Sequence, residues 1–286
     1  MGHEQRVRAF YDYVGPAYEA LMDDIWHHGD PAAEARGQSP RQAAQALEER
    51  LVRLAGLRPG HRALDFGSGV GGATVHMAAV TGAAFVGLSN NEWLSQRARR
   101  LAAERGLADR VQFLTVGDED YTTFAAWPDM CFDAITLYES VCHLPRKEQF
   151  FRSAHRLLKP GGALVGIDWL QRPFGAHRTP EEIAQFIDPV NDTICLAGLG
   201  TLHDYEAMLE DAGYVVTLAE DLFPGVPCWG STPPEDRPKW LGYDGPGGEL
   251  IQAGKEALDA ARGAGVFTVG AFAGRRSGRT LLDSSK

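Results

Sequence analysis

The sequence predicts an α/β fold built on a doubly wound, mostly parallel sheet of seven strands. Two observations lead to this prediction. From residue 62 onward short apolar strands alternate with helices, and the first strand, Arg62–Phe66, runs directly into a glycine-rich turn. Alternation with short connections indicates parallel strands that are covered by helices on both faces. Two late strands, Tyr214–Leu218 and Val266–Ala273, are expected to form an antiparallel pair at one edge.

Each element has its own signal in the sequence. An aromatic-rich stripe at three- and four-residue steps predicts a helix from Phe10 to Ile25, and Ser39-Pro40 opens a second helix that Gly56 ends. The alternating part then follows in chain order, with these predicted strands and helices: Arg62–Phe66, Ala73–Val80, Phe85–Leu88, Asn91–Arg105, Val111–Val116, Phe132–Leu137, Pro145–Leu158 and Ala163–Ile167. Helices over Leu202–Ala212 and Glu249–Ala261 accompany the late strands, with insertions after strands five and six.

Domain organisation and composition limit the function. We expect an N-terminal helical lid over residues 1–38, a main domain over 39–275 and a flexible tail over 276–286. The net charge of −10, with no sustained Lys/Arg run and no long apolar stretch, argues against nucleic-acid and membrane partners. A small-molecule acceptor fits better, and the polar N-terminus favours the cytoplasm. The chain could form a homo-oligomer, and no metal-ligand spacing is evident.

Ligands of doubly wound sheets bind outside the carboxyl ends of the strands, and this rule selects the candidate residues. After strand one, Asp65 precedes a glycine turn whose bare backbone and following helix N-terminus suit a nucleotide cofactor. A tight connection without a ligand is the alternative. The candidates after strands one to four are Asp65, Gly67, Gly69 and Gly71; Ser89, Asn90 and Asn91; Asp118 and Glu119; and Tyr138, Glu139 and His143.

Taken together, these motifs resemble the class I S-adenosylmethionine-dependent methyltransferases over roughly residues 40–220. The resemblance is carried by Asp65–Gly71, Asp118, Phe132-Asp133 and Leu158–Gly162. A closer similarity, to the sterol C-24 and tocopherol C-methyltransferases, is carried by Gly69–Gly72, Gly87–Trp93 and Glu139–His143. Geranyl diphosphate C-methyltransferases share Glu139-Ser140 and a late region like Pro227–Trp229. Leu94 departs from the sterol motif, which has Gln there, so that contact is absent or lies at Gln96.

The resemblance implies a Rossmann-like methyltransferase that binds S-adenosylmethionine and methylates a small molecule. The specific expectation is C-methylation of an isoprenoid alkene, either a prenyl diphosphate or a prenylated metabolite, through a carbocation. Glu139 would be the base that removes a proton, and His143 would position substrate or cofactor. A cofactor or helix-cap contact is the alternative for Glu139. Mg²⁺ is expected only if the acceptor is a diphosphate.

Two other function classes are compatible with these residues. An O- or N-methyltransferase of a small specialised metabolite could use the same scaffold, and a non-catalytic cofactor-binding subunit is a third class. The intact glycine turn and the Glu139/His143 pair argue against the third class.

Six residues are expected to line the acceptor pocket. Aromatic faces would stabilise a carbocation by cation–π attraction, although core packing is the alternative for large aromatic side chains. The six residues are Tyr11, Tyr18, Trp26, His28, Trp169 and Trp229.

Overall fold

The fold is built on one sheet of seven strands. The computed structural model describes residues 2–117, 121–173, 179–225 and 242–278. Within these residues the strand order is β3-β2-β1-β4-β5-β7-β6. Strands β1 to β5 pair in parallel, and β7 runs antiparallel to both of its neighbours. The strands are β1 Arg62–Phe66, β2 Ala84–Ser89, β3 Val111–Thr115, β4 Phe132–Tyr138, β5 Leu158–Gln171, β6 Tyr214–Asp221 and β7 Phe267–Arg276. The predicted doubly wound, mostly parallel sheet is confirmed.

The late strands pair antiparallel as expected, but their order was not evident from the sequence. β7 lies between β5 and β6, so of the two late strands only β6 lies at an edge of the sheet. β5 also begins five residues before the predicted Ala163, because Leu158 pairs with Phe132 ahead of a register shift. The strand order reverses between β1 and β4, which places a ligand crevice at their carboxyl ends.

Helices cover both faces of this sheet. Their bounds are α1 His3–Met22, α2 Pro31–Ala35, α3 Pro40–Ala55, α4 Gly72–Thr81, α5 Glu92–Glu104, α6 Lys147–Leu157, α7 Pro180–Thr193, α8 Leu202–Asp211 and α9 Gly248–Gly263. One apolar cluster joins α3, α4, α5, α7 and α9 to the sheet, and a second joins α6 and α8. The two clusters are the core on either side of the sheet, as a parallel sheet requires.

Helix α7 was missed by the sequence-based prediction, although its start signals are present. Thr179 caps the helix through a reciprocal pair of hydrogen bonds with Glu182, and Pro180 occupies the first helical position. The helix packs on α9 through Ile183 and Ile187, which are buried. The insertion after β5 is therefore partly helical.

The N-terminal region lies against the main domain. Helix α1 packs on α5 and α9, and residues 23–30, here called the lid segment, lead from α1 to α2. Gly15 of α1 lies against the Trp93 ring, since an added Cβ would come within 2.6 Å of it. β7 continues to Arg276, one residue beyond the expected domain end, and residues 279–286 of the predicted tail lie outside the described residues. No helix in the described part of the chain is both long and apolar enough to cross a bilayer.

Candidate active site

The glycine turn between β1 and α4 has one glycine that faces open space. A Cβ on Gly67 would lie 2.3 Å from Cβ of Ser140, and one on Gly71 would lie 2.8 Å from Ala98, so both glycines permit close packing of the protein itself. Gly69 has φ +51° and would meet no atom of the described residues within 4 Å. The turn therefore leaves its backbone accessible at Gly69.

Helix α4 begins directly after this turn, with features that suit an anionic or polar ligand. Its N-cap, Gly71, makes no side-chain capping bond, so the amides of the first turn keep their donor capacity. The Ser68 hydroxyl is buried and has no hydrogen-bond partner among the described residues. Sequence reasoning missed Ser68, which lies inside the turn motif. A bound cofactor would satisfy these donors.

Asp65 is buried beneath the turn and held by two threonines. Its Oδ2 accepts a hydrogen bond from Thr74 over 2.5 Å, and its Oδ1 accepts one from Thr136 over 2.8 Å. Burial raises the pKa of Asp65 to about 6, against the effect of these two bonds. The carboxylate thus joins β1, β4 and α4 at the crevice.

The loop after β2 joins the sheet to helix α1. Asn91 caps α5 by accepting from the Leu94 amide over 3.0 Å, and its Nδ2 donates to Asp12 Oδ1 over 2.8 Å. Arg8 donates to the carbonyl of Asn90 over 2.9 Å, and the Ser89 hydroxyl accepts from the Asn91 amide over 3.1 Å. The three predicted cofactor residues of this loop lie together at the carboxyl end of β2, and α1 covers them.

Several other candidates can be placed directly. Asp118, Glu119 and Trp229 lie outside the described residues. Tyr138 donates to the Met77 sulfur over 3.4 Å, and its ring centroid lies 4.8 Å from that of His27. Gln96 is exposed, and its side-chain amide donates to Glu92 Oε1 over 3.1 Å.

Glu139 follows β4 directly and points its carboxylate into the protein. Its side chain is 4% exposed, and its backbone has φ +53°, a conformation that costs a non-glycine residue about 1–3 kcal/mol. Oε1 accepts from the backbone amide of His28 over 2.7 Å and from its Nδ1 over 2.6 Å, and Oε2 accepts from Trp169 Nε1 over 2.6 Å. Three charge-assisted bonds thus fix this carboxylate.

These contacts keep Glu139 ionised despite its burial. Burial alone would raise its pKa, but the interactions with His28, and to a lesser degree the charge of His27, outweigh it and lower the pKa below the ordinary value. A buried, deprotonated carboxylate can accept a proton from a substrate or stabilise a nearby cation.

His143 lies in the 3₁₀ turn Val141–His143 and is joined to α1. Its Nδ1 donates to the carbonyl of Cys195 over 3.0 Å, which leaves Nε2 to accept from the Tyr11 hydroxyl over 2.9 Å. Burial lowers the pKa of His143 to about 4. The imidazole is therefore neutral near pH 7 and suited to holding a polar group rather than a charge.

The other predicted pocket residues form contacts between α1, the lid segment and β5. The Tyr18 and Trp26 ring centroids are 5.3 Å apart, and burial raises the pKa of Tyr18 to about 12. The Trp169 ring meets those of His28 at 6.2 Å and Phe267 at 5.3 Å. His28, Glu139 and Trp169 are thus linked by direct contacts, whereas Tyr11 and His143 form a second set and Tyr18 and Trp26 a separate pair.

A buried glutamate that sequence reasoning missed anchors the lid segment. Glu48 of α3 is 1% exposed; it accepts from His27 Nε2 over 2.9 Å and from His76 of α4. Its signal was an acidic residue on the apolar face of a helix, beside Leu47. A cavity of about 210 Å³ opens nearby, lined in part by Asp24 and Gly72, and the side chains that surround Glu139 do not line it.

A comparison with known protein families identifies the family of this chain. A family model described as a methyltransferase domain matches residues 39–219, which include the glycine turn and Glu139. The chain belongs to the class I S-adenosylmethionine-dependent methyltransferases. Its cofactor is accordingly S-adenosylmethionine. Among the residues the structure describes, no group of three or more His, Cys, Asp or Glu side chains could hold a metal ion.

Similar proteins include C- and O-methyltransferases. The methyltransferase is 31% identical over 227 residues to a 24-methylenesterol C-methyltransferase 2 of Oryza sativa subsp. japonica, covering 78% of this chain and 60% of that protein. It is 30% identical to a 27-O-demethylrifamycin SV methyltransferase of Amycolatopsis mediterranei, covering 73% of this chain and 76% of that protein. The chain spans about 60% of the length of the first sterol relative.

A solved structure of low sequence identity shares the fold. Geranyl diphosphate C-methyltransferase from Streptomyces coelicolor A3(2), solved with Mg²⁺, geranyl diphosphate and S-adenosyl-L-homocysteine, superposes with a TM-score of 0.73 at 17% identity. The match covers 96% of this chain and 98% of that one. It extends the fold likeness to almost the whole methyltransferase.

Proposed function

We propose that this methyltransferase transfers a methyl group to an alkene carbon of an isoprenoid and that Glu139 removes a proton afterwards. One observation carries the proposal: an ionised, buried carboxylate at the carboxyl end of β4, held between the lid segment and β5. The similarity to a sterol C-methyltransferase supports the acceptor class. A prenyl diphosphate or a prenylated metabolite belongs to the same class.

The cofactor would be held at the ends of β1 and β2. Gly69 offers bare backbone, and Ser68 and the first turn of α4 offer donors. We keep Asp65, Gly67, Gly71, Ser89, Asn90, Asn91 and Tyr138 in the proposed cofactor site, with Asp118 and Glu119 outside the described residues. S-adenosylmethionine, when bound, supplies an electrophilic methyl group on a sulfonium sulfur and departs as S-adenosylhomocysteine.

The side chains around Glu139 suit the acceptor's side of this reaction. The alkene π electrons form the new carbon–carbon bond, which leaves a positive charge on the neighbouring carbon. Glu139 then takes a proton from an adjacent carbon, and the electrons of that C–H bond restore a double bond. The carboxylate and the Trp169 ring would both stabilise the cation, an aromatic face contributing about 0.5–2 kcal/mol.

Exclusion of water is the second requirement, because water would convert the cation to an alcohol. Tyr11 and His28 bring α1 and the lid segment onto the turn after β4 and onto Glu139. We therefore assign residues 1–38 the role of a lid over the acceptor, with Tyr18, Trp26 and Trp229 as further pocket residues. Mg²⁺ would take part only with a diphosphate acceptor.

O-methylation is the second candidate, and one observation favours it. The chain covers 76% of the rifamycin O-methyltransferase but 60% of the sterol enzyme. In that case Glu139 would take the proton of a hydroxyl group, since the pKa of His143, about 4, makes this imidazole a weak base. We keep the cytoplasm as the expected location and leave homo-oligomer formation as a prediction.

The identity of the methylated atom separates the two candidates. The chain would be incubated with methyl-labelled S-adenosylmethionine and a panel of side-chain-unsaturated sterols, prenyl diphosphates with and without Mg²⁺, and phenols. Mass spectrometry would detect transfer, and NMR would locate the label on carbon or oxygen. An acceptor deuterated beside the alkene should lose one deuteron during C-methylation. A methyl group found on oxygen, with all deuterium retained, would contradict the proposal.

A further inference from the structure

The two oxygens of Glu139 are bonded unequally. Oε1 accepts two hydrogen bonds, both from His28, and Oε2 accepts one, from Trp169. A carboxylate has about four lone-pair positions, two on each oxygen. Among the described residues, His28 therefore occupies both positions on Oε1, while Oε2 keeps one position for a further proton.

We propose that His28 is a positioning residue that orients Glu139 and leaves Oε2 as the oxygen that takes the acceptor's proton. The proposal rests on the proposed role of Glu139 as the base. The C–H bond beside the cationic carbon breaks, its electron pair forms the carbon–carbon double bond, and the proton joins Oε2. His28 does not touch the acceptor in this scheme and acts through Glu139.

The anchoring of both residues supports this role. The Glu139 amide donates to the carbonyl of Ile167 over 2.9 Å, so the main chain that carries the carboxylate is fixed on β5. On the other side, His27 is bonded to buried Glu48, and the Asp30 amide donates to the carbonyl of Ala43 over 2.8 Å. His28 thus lies in a stretch without helix or strand whose two flanks are tied to α3.

The electrostatic surroundings give the proposal a measurable consequence. The titratable groups that act on Glu139 are His27 and His28 of the lid segment, Tyr11 of α1 and Cys142 of the 3₁₀ turn. Loss of the His28 ring removes the interaction that lowers the pKa of Glu139 most strongly against the effect of burial. The pKa of Glu139 should then rise, and activity that needs the carboxylate should fail at a higher pH than in the wild type.

Two variants of His28 test this inference against a histidine control. His28→Ala removes the ring but keeps the amide, and His28→Asn keeps a donor near the place of Nδ1. His203→Ala, on α8 and 88% exposed, is the control. We expect His28→Ala to lower kcat roughly 10²-fold, as small displacements of catalytic groups do. The acid limb of the pH–activity profile should shift to higher pH. The affinity for S-adenosylmethionine, measured by calorimetry, should be unchanged. His28→Asn should restore much of kcat.

A second measurement does not depend on turnover. In protein labelled with ¹³C at glutamate Cδ, the Glu139 signal is the one missing from Glu139→Gln, and its pH titration reports this pKa directly. His28→Ala should move that titration to higher pH. An unmoved titration together with wild-type kcat would overturn the inference. If His28→Ala does not fold, as judged by circular dichroism, the same titration in His28→Asn decides, and a Glu139 titration that stays at the wild-type pH counts against the inference.

A double variant separates this inference from the proposed function. If His28 acts through Glu139, then His28→Ala should cost little further turnover in the Glu139→Gln background. An equal cost in both backgrounds would overturn the positioning role. Full turnover by Glu139→Gln alone would instead overturn the role of Glu139 as the base, which is a different result.

Discussion

The hydroxyl of Tyr11 donates a hydrogen bond to Nε2 of His143 over 2.9 Å and so joins α1 to the turn after β4. The opposite nitrogen, Nδ1, donates to the carbonyl of Cys195 over 3.0 Å. Both ring nitrogens thus form hydrogen bonds while the imidazole is neutral. The arrangement makes His143 a structural link between α1 and the turn after β4, and protonation of Nε2 would oppose the bond from Tyr11.

Replacement of His143 should change the pH dependence of stability. The histidine titrates near 6.5 in the unfolded chain and near 4 in the folded protein. Between these values the unfolded chain binds the additional proton, so the free energy of unfolding falls as pH falls through the window. Between pH 7 and pH 5 the titration of this group should lower the free energy of unfolding of the wild type by about 2 kcal/mol. Urea unfolding should therefore show that the free energy of unfolding of His143→Asn falls by about 2 kcal/mol less than that of the wild type over the same pH range.

The control for this measurement is His203→Asn, because His203 lies on α8 with an exposed side chain and takes no part in the contacts around His143. Its unfolding free energy should follow the wild-type pH dependence. The same pH dependence in His143→Asn and the wild type would contradict a neutral, buried His143.

The bond between Asp12 and Asn91 should couple helix α1 to cofactor binding. Asn91 donates to Asp12 from the loop that is proposed to hold the cofactor, and Arg8 bonds the preceding residue of that loop. Asp12→Ala removes one bond worth about 1 kcal/mol, so S-adenosylmethionine should bind about fivefold more weakly in calorimetry. Asp109→Ala, an exposed aspartate in the loop before β3, is the control. Equal affinity in all three proteins would exclude the coupling.

A side chain at Gly69 should block the cofactor. The Cβ of Gly69→Val would enter space that the described residues leave empty, at φ +51°. We expect the Kd for S-adenosylmethionine to rise by more than roughly tenfold. Gly106→Val is a matched control, because Gly106 also has positive φ and an open Cβ direction but follows α5 at the opposite end of the sheet. Retained affinity in a folded Gly69→Val protein would remove the turn from the cofactor site.

The sheet could be predicted, and the main residues of the candidate site could be proposed, because their signals are local. The turn from Gly67 to Gly71 is contiguous with β1, and Glu139 is one residue past an apolar strand. The parallel topology then brings the strand ends together without further information. Helix α7 had local signals as well, in Thr179 and Pro180, and could have been found from them.

Contacts between distant segments could not be predicted in the same way. His28 and Glu139 are separated by 111 residues, and no periodicity reports which way the lid segment turns a ring. The partners of Asn91 show the same limit, since an N-cap is a local signal but a bond to α1 is not. The place of β7 between β5 and β6 also depends on packing of the whole sheet.

Replacement of Glu139 by Gln should stop the proton-removing step and leave cofactor binding intact. The amide keeps the size of the side chain and an acceptor oxygen but has no useful basicity. Turnover should fall roughly 10²–10⁴-fold, the usual effect of losing a general base, with an unchanged Kd for S-adenosylmethionine. Steady-state kinetics on the authentic acceptor and calorimetry on the same preparation check both expectations.

The matched control for that measurement is Glu104→Gln, at the exposed C-terminal end of α5 and far from the strand ends that form the site. It should keep wild-type turnover. An acceptor that ionises without assistance, such as an acidic phenol, should be methylated nearly as well by Glu139→Gln as by the wild type. Near-normal turnover of an alkene acceptor, with an unchanged product, would therefore take Glu139 out of the chemistry. A carbocation formed from that alkene would then lose its proton to another base.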